Sequence, residues 1–335
     1  MDNNTHDQKR IKVLTWHVHG GYLCYLTQAN CDFYLPVNEA RTHGYSGKIS
    51  DDSLGDNVHE IPVEAVKNAD FDVILFQSRQ NYLVDQYEIL SAEQRNLPKV
   101  YLEHEPPADS PADTRHFIDD PSVTLVQVTD YNRLMCDSDH LPTVVIEHGV
   151  VDSSTRYKGT LDRGIVVINN LQSRGRRLGL DIFQEMRHKI PLDLVGLGTT
   201  EIGGLGPIRH DELPEFMSQY RFFFTPARYS SLALSIIEGM MVGLPVVGVG
   251  TTELSSVFRS GVNGYISLKL DRLAEYMKML LDSPEMAYRI GENGRQYALQ
   301  RFSIKRFASD WERLFESVCE EHRTRLVSLN ERPAV

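Results

Sequence analysis

The chain has 335 residues, 41% hydrophobic and 24% charged, which suits about two globular domains at roughly 150 residues each. Its net charge of −11 argues against a nucleic-acid partner, which calls for a basic footprint, and weakens the case for docking on anionic lipid. No apolar run reaches the ~20 residues that span a bilayer, and the polar opening MDNNTHDQKR lacks a signal-peptide core. A cytoplasmic protein is expected, with membrane contact at most peripheral at the inner membrane face. Cys24, Cys31, Cys136 and Cys319 show no metal-ligand spacing and read as reduced, packed thiols. The charge is uneven. Residues 1–150 carry a balance of −13 and residues 151–335 a balance of +2, which points to two modules with different ligands.

In chain order, residues 11–16 (IKVLTW) read as a buried first strand. It runs into His17-Val18-His19-Gly20-Gly21, then a helix start at Tyr22. The paired glycines serve either a tight turn with positive φ or a close backbone approach to a ligand. Residues 32–37 (DFYLPV) form a second strand. Residues 38–57 have no periodicity and read equally as a functional loop or a disordered one. Residues 71–77 and 98–103 are apolar strands, the latter ending in His104-Glu105-Pro106-Pro107. Open α/β sheets place ligands at such carboxyl ends, and the Pro-Pro sequence stiffens the loop that presents His104. Strands at 123–128 and 143–146 close the first module, and a polar stretch after Asp152 suits a hinge.

The second module opens with a strand at 164–168 (GIVVI). A basic loop with Arg174, Arg176 and Arg177 follows, then Gly179 and a helix over 180–189. Arginine's planar fork suits bidentate phosphate binding. A strand at 192–196 and a short helix at 211–220 lead to the stretch 225–266: strand end, polar loop, helix over 234–241, Gly243-Leu244-Pro245 turn, strand over 246–249, and a short helix stopping at Gly261. Two successive strand–loop–helix units indicate a parallel sheet. Ser230, Ser231 and Ser235 gather at the helix start, where free N–H groups favour an anion. Glu238, one turn further in, suits neutral hydroxyls beside that anion. Helices follow over 270–281 and 285–302. The last, 304 to about 325, carries one apolar stripe of Phe307, Trp311, Leu314, Phe315 and Val318. ERPAV is a polar tail.

The run EGMMVGLPVV from Glu238, then Thr251-Thr252-Glu253, then Ser260-Gly261-Val262-Asn263-Gly264, resembles the donor-site signature of retaining GT-B glycosyltransferases (group 1, family 4-like). The resemblance implies an α/β protein of two Rossmann-like domains facing across a cleft. Residues 1–155 would be the acceptor domain, 156–302 the donor domain, and 303–335 a helix crossing back to the first domain, with the tail. It implies transfer of a hexose-type sugar, with retention, from a UDP- or GDP-linked nucleotide sugar to a glycan, lipid-linked or small-molecule hydroxyl acceptor, in glycan or cell-envelope polysaccharide synthesis. It implies no tightly bound cofactor and no metal. Glu238 would hold the ribose. Ser230, Ser231, Ala233, Leu234 and Ser235 would border the donor, with Gly20 and Gly21 near its diphosphate. His104 would line the reaction centre, and Arg174, Arg176 and Arg177 would bind the leaving diphosphate. Two departures stand out: Asn169-Asn170 where the family has Gly-Arg, and Ser230 where it has a glutamate eight positions before Glu238. The alternatives are a nucleotide-sugar epimerase on the same fold and a non-catalytic nucleotide-sugar or glycan-binding protein.

Overall fold

The computed structural model describes residues 9–48 and 54–330. The polar opening up to residue 8, the middle of the 38–57 segment and the tail ERPAV lie outside them.

Strands β1 (Lys12–Thr15), β2 (Asp32–Val37), β3 (Val58–Pro62), β4 (Val73–Phe76), β5 (Lys99–Glu103), β6 (Val123–Gln127) and β7 (Thr143–Val145) form a seven-stranded sheet, order β3-β2-β1-β4-β5-β6-β7. Strands β8 (Leu161–Val167), β9 (Leu192–Val195), β10 (Tyr220–Thr225), β11 (Val246–Val249) and β12 (Tyr265–Ser267) form a second, order β12-β11-β10-β8-β9. Every ladder in both sheets is parallel. The first unit holds helices α1 (Gly20–Leu26), α2 (Val63–Val66), α3 (Gln86–Ile89) and α4 (Asp130–Met135). The second holds α5 (Leu171–Arg174), α6 (Leu180–Arg187), α7 (Leu213–Ser218), α8 (Leu234–Val242), α9 (Leu254–Val257), α10 (Leu270–Asp282) and α11 (Pro284–Arg301). Helix α12 (Ile304–Asn330) closes the chain.

Parallel strands are covered on both faces, so they read as continuous apolar runs rather than as alternations. The four residues of β4 and all six of β10 are buried. Strand β3 escapes the sequence reading because it is an edge strand with His59 and Glu60 in its middle. The described part of the 38–57 segment is tied to it: both Arg41 Nη1 and the Lys48 amide donate to Glu60. Its described residues are thus held against β3. The helix after Thr252 ends at Val257, short of the expected Gly261. Gly261 instead closes the next turn, its amide donating to Gly264 O.

Helix α12 returns to the first unit and packs on α1 and β4. Phe307, Trp311 and Phe315 are wholly buried there, and Trp311 Nε1 donates to Tyr22 Oη at 3.1 Å. The connection between sheets is pinned from the same side. Arg301 Nε donates to Glu147 at 3.0 Å and Arg295 pairs with Asp152 at 2.6 Å. At Gly149 a Cβ would lie 2.2 Å from Phe307 Cβ, so only glycine lets the connection run against α12.

Candidate functional site

In each sheet the strand order reverses once, between β1 and β4 in the first and between β8 and β10 in the second. Ligands of open α/β sheets bind outside the carboxyl ends at such reversals. Here the two reversals face one another across a cleft of about 940 Å³. The first unit lines it with the loop after β1, with His104 and Glu105 after β5, and with His148. The second lines it with residues 168–170, Arg174, Gly196, Ile208, His210, the first turn of α8 and Glu238.

Gly20 and Gly21 are the first residues of α1 and do not adopt positive φ. The tight-turn explanation therefore fails. A Cβ on Gly21 would stand 3.9 Å from Leu234 across the cleft, an ordinary contact, so space alone does not call for glycine there.

Beyond the glycines lies a group of rings. The His19 and His104 centroids are 4.1 Å apart, and Tyr22 stands edge-on to His104 at 4.8 Å. His104 Nε2 is buried and has no hydrogen-bond partner among the described residues. Burial, with His19 and His148 adding to it, holds the His104 imidazole well below its usual pKa. Burial also lowers His19 and brings His148 to about 4. These imidazoles are neutral near pH 7 and offer hydrogen bonds rather than charge.

On the opposite wall, α8 begins after Ala233 with no side-chain cap; the Ile236 amide donates to Ala233 O at 3.1 Å, which leaves the amides of Leu234 and Ser235 for the cleft they line. Ser235 Oγ donates back to Val167 O at 3.2 Å. Ser231 Oγ is engaged across the units, accepting from Asn132 Nδ2 at 2.6 Å in a buried contact. Ser231 thus joins the two walls as an acceptor, and its O–H remains a donor. Glu238 is buried, with Tyr25 Oη donating to its Oε1 at 2.8 Å and His210 Nε2 at 2.9 Å from the same oxygen. Hydrogen bonds to the Cys24 side chain and to Glu238 raise the His210 pKa to about 10, making it a cation.

The three arginines separate. Arg174 Nη2 and Arg177 Nη2 both reach Glu105, at 2.9 Å and 3.0 Å. Arg176 pairs instead with Asp181 at 2.6 Å, its side chain 76% exposed; of the three, Arg174 is the one that lines the cleft itself, and Arg177 stands behind it on Glu105. Arg176 lies in the 3₁₀ turn over Gly175–Leu178, and the structure does not bring it to Glu105 with the other two. The segment is held by close backbone contact: at Gly179, φ +79°, a Cβ would meet Pro226 O at 2.0 Å. Arg177 Nε also donates to Tyr229 O, fixing the arginines beside Ser230. Tyr25, His19, Glu105 and His210 were not singled out from sequence. Of these, Glu105 left a signal as a charged neighbour of His104 on the same Pro-stiffened loop, and His19 as the residue before Gly20.

Two facing α/β units with the cleft between the carboxyl ends of their sheets, and a last helix returning to the first unit, define the GT-B class of glycosyltransferase fold. Residues 199–297 match the family described as glycosyl transferases group 1. The chain thus has the GT-B fold and carries a group 1 glycosyltransferase segment in its second unit. It is similar to an alpha-D-kanosaminyltransferase of Streptomyces kanamyceticus, 25% identical over 101 residues. That match covers 30% of this chain and 26% of the relative, so the chain matches about a quarter of that protein's length. In structure it is similar to a sucrose-phosphate synthase from Thermosynechococcus elongatus, with TM-score 0.68 and 15% identity over 92% of this chain and 99% of that one. It is likewise similar to Anabaena Alr3699/HepE in complex with UDP, with TM-score 0.66 and 15% identity over 92% and 100%.

Proposed function

We propose that the protein transfers a hexose-type sugar from a nucleoside-diphosphate sugar, UDP- or GDP-linked, to a hydroxyl acceptor with retention, in glycan or cell-envelope polysaccharide synthesis. The observation that carries this reading is that Arg174 and Arg177 meet on Glu105 at the cleft that Arg174, the first turn of α8 and Glu238 also line. Two cations and a helix N-terminus suit a diphosphate, whose charge grows as the glycosidic bond breaks, so these groups act most strongly in the transition state. Both partners of Glu238 sit on Oε1, so Oε2 is the atom offered to the ribose hydroxyls. His104 and His19, neutral and facing this wall, are offered to the transferred sugar or the acceptor. The departing phosphate oxygen takes the acceptor's proton, so the reading needs no carboxylate base and draws on no metal. The match of residues 199–297 to group 1 glycosyltransferases and the UDP in the HepE complex support it.

The test combines calorimetry with product analysis, using UDP, GDP and their common sugar conjugates. One nucleoside diphosphate is expected to bind, and its conjugate to be transferred or slowly hydrolysed with the anomeric configuration kept. Glu238→Ala is expected to weaken that nucleotide ~10–100-fold, since hydrogen bonds to a charged group contribute roughly 1.5–3 kcal/mol each. If no nucleotide binds the wild type, the reading fails. Binding without turnover across a broad donor and acceptor panel returns the non-catalytic alternative.

A further inference from the structure

We infer that Glu105 is a built-in stand-in for a ligand phosphate. Arg174, Arg177 and the Ser230 hydroxyl make an anion subsite, which this carboxylate fills in the empty protein and which the donor's diphosphate takes over. The inference rests on the nucleoside-diphosphate reading above and adds an occupant and a competition to it.

Glu105 belongs to the first unit, yet its three partners belong to two different loops of the second. Arg174 Nη2 meets Oε1 at 2.9 Å, Arg177 Nη2 meets Oε2 at 3.0 Å, and Ser230 Oγ donates to Oε2 at 3.3 Å. Separate donors on separate oxygens of one anion are what guanidinium groups offer to phosphate as readily as to carboxylate. The arrangement is poorly suited to be a strut. The Glu105 side chain is 37% exposed, and exposed ion pairs contribute little, about 0–1 kcal/mol. The two arginines are also under-neutralised, since a single carboxylate faces both. A diphosphate brings more negative charge to the same donors and gains the amides of Leu234 and Ser235 as well. Pro106, next in sequence, restricts the Glu105 backbone to extended conformations and so holds the carboxylate over the subsite.

Removing the charge while keeping the shape should therefore improve binding of the diphosphate, the opposite of what loss of a structural bridge does. Glu105→Gln is expected to bind the nucleoside diphosphate that the wild type prefers, UDP or GDP, about tenfold more tightly by calorimetry. The gain should be smaller for the matching monophosphate, which lacks the second charged group. Glu105→Asp, too short to reach both arginines, should shift affinity in the same direction by less. Melting temperatures of both variants confirm that they fold. If UDP or GDP binds the wild type and neither variant binds it more tightly, the stand-in role is overturned and the function reading survives. If no nucleotide binds the wild type, the function reading falls and takes this inference with it.

Discussion

His210 and Glu238 meet at 2.9 Å on the second unit's wall, with Tyr25 from the first unit completing the group. The His210 pKa, raised to about 10 from 6.5, makes this contact a source of pH-dependent stability. The folded state holds the proton more tightly than the unfolded chain. The contribution is therefore fully present below about pH 6.5 and is lost as pH rises through about 10. His210→Gln removes the charge but retains a hydrogen-bond donor. The difference in melting temperature between wild type and this variant is expected to be largest near pH 6 and to shrink steadily toward pH 10. Because burial holds several tyrosines protonated in the folded state while they ionise in the unfolded chain, they add their own alkaline pH dependence, so the difference between the two proteins, not either curve alone, is the readout. A constant difference across that range would show that His210 is not the protonated partner of Glu238.

The tie between α12 and α1 makes an equally direct test at the level of elements. Trp311 is wholly buried and donates to Tyr22, the residue that follows Gly20 and Gly21 at the cleft. Trp311→Ala should destabilise the protein by about 3–5 kcal/mol, read as a lower urea midpoint. Trp311→Phe should fall between it and the wild type. An unchanged midpoint for the alanine variant would mean that α12 does not hold α1 in solution. The same elements show what a linear reading reaches. The stripe on α12 and the apolar cores of β4, β5 and β10 are written as period or as continuous run, because burial on one helical stripe or two sheet faces dictates them. The edge strand β3 and the helical segment over 81–89 carry polar residues inside regular structure and leave no such trace. The site was legible only where it lies along the chain: Arg174, Ser230 and Glu238 belong to local motifs. Tyr25 and Glu238 lie 213 positions apart, and Glu105 and Ser230 lie 125 apart, so these contacts exist only once both sheets are built. Arg176 stands apart from its neighbours in a 3₁₀ turn that spacing does not specify.

Across the whole molecule, the contacts between the two units differ on the two sides of the chain crossing. On the hinge side, Trp311 and Phe307 are buried, Arg295 pairs with Asp152, and Arg301 pairs with Glu147, its guanidinium also reaching Glu253. On the cleft side the ties include the half-exposed bridges of Glu105 to Arg174 and Arg177 and the single hydrogen bonds Asn132–Ser231 and Tyr25–Glu238. The Glu105 bridges are 34–37% exposed at each partner, so solvent ions reach them. Salt screens exposed pairs far more than buried ones, because the Debye length falls from about 10 Å at 0.1 M to about 3 Å at 1 M. Raising the salt should therefore open the cleft side while the hinge side and α12 stay packed. Small-angle scattering is expected to give a larger radius of gyration at 1 M than at 0.1 M sodium chloride, with no loss of helical circular dichroism. A saturating nucleoside diphosphate should reverse part of the expansion, since it replaces Glu105 on the arginines and bridges the walls itself. A radius of gyration independent of salt would mean that the two units are held rigidly by the hinge side alone, and that the cleft contacts follow its geometry without contributing to it.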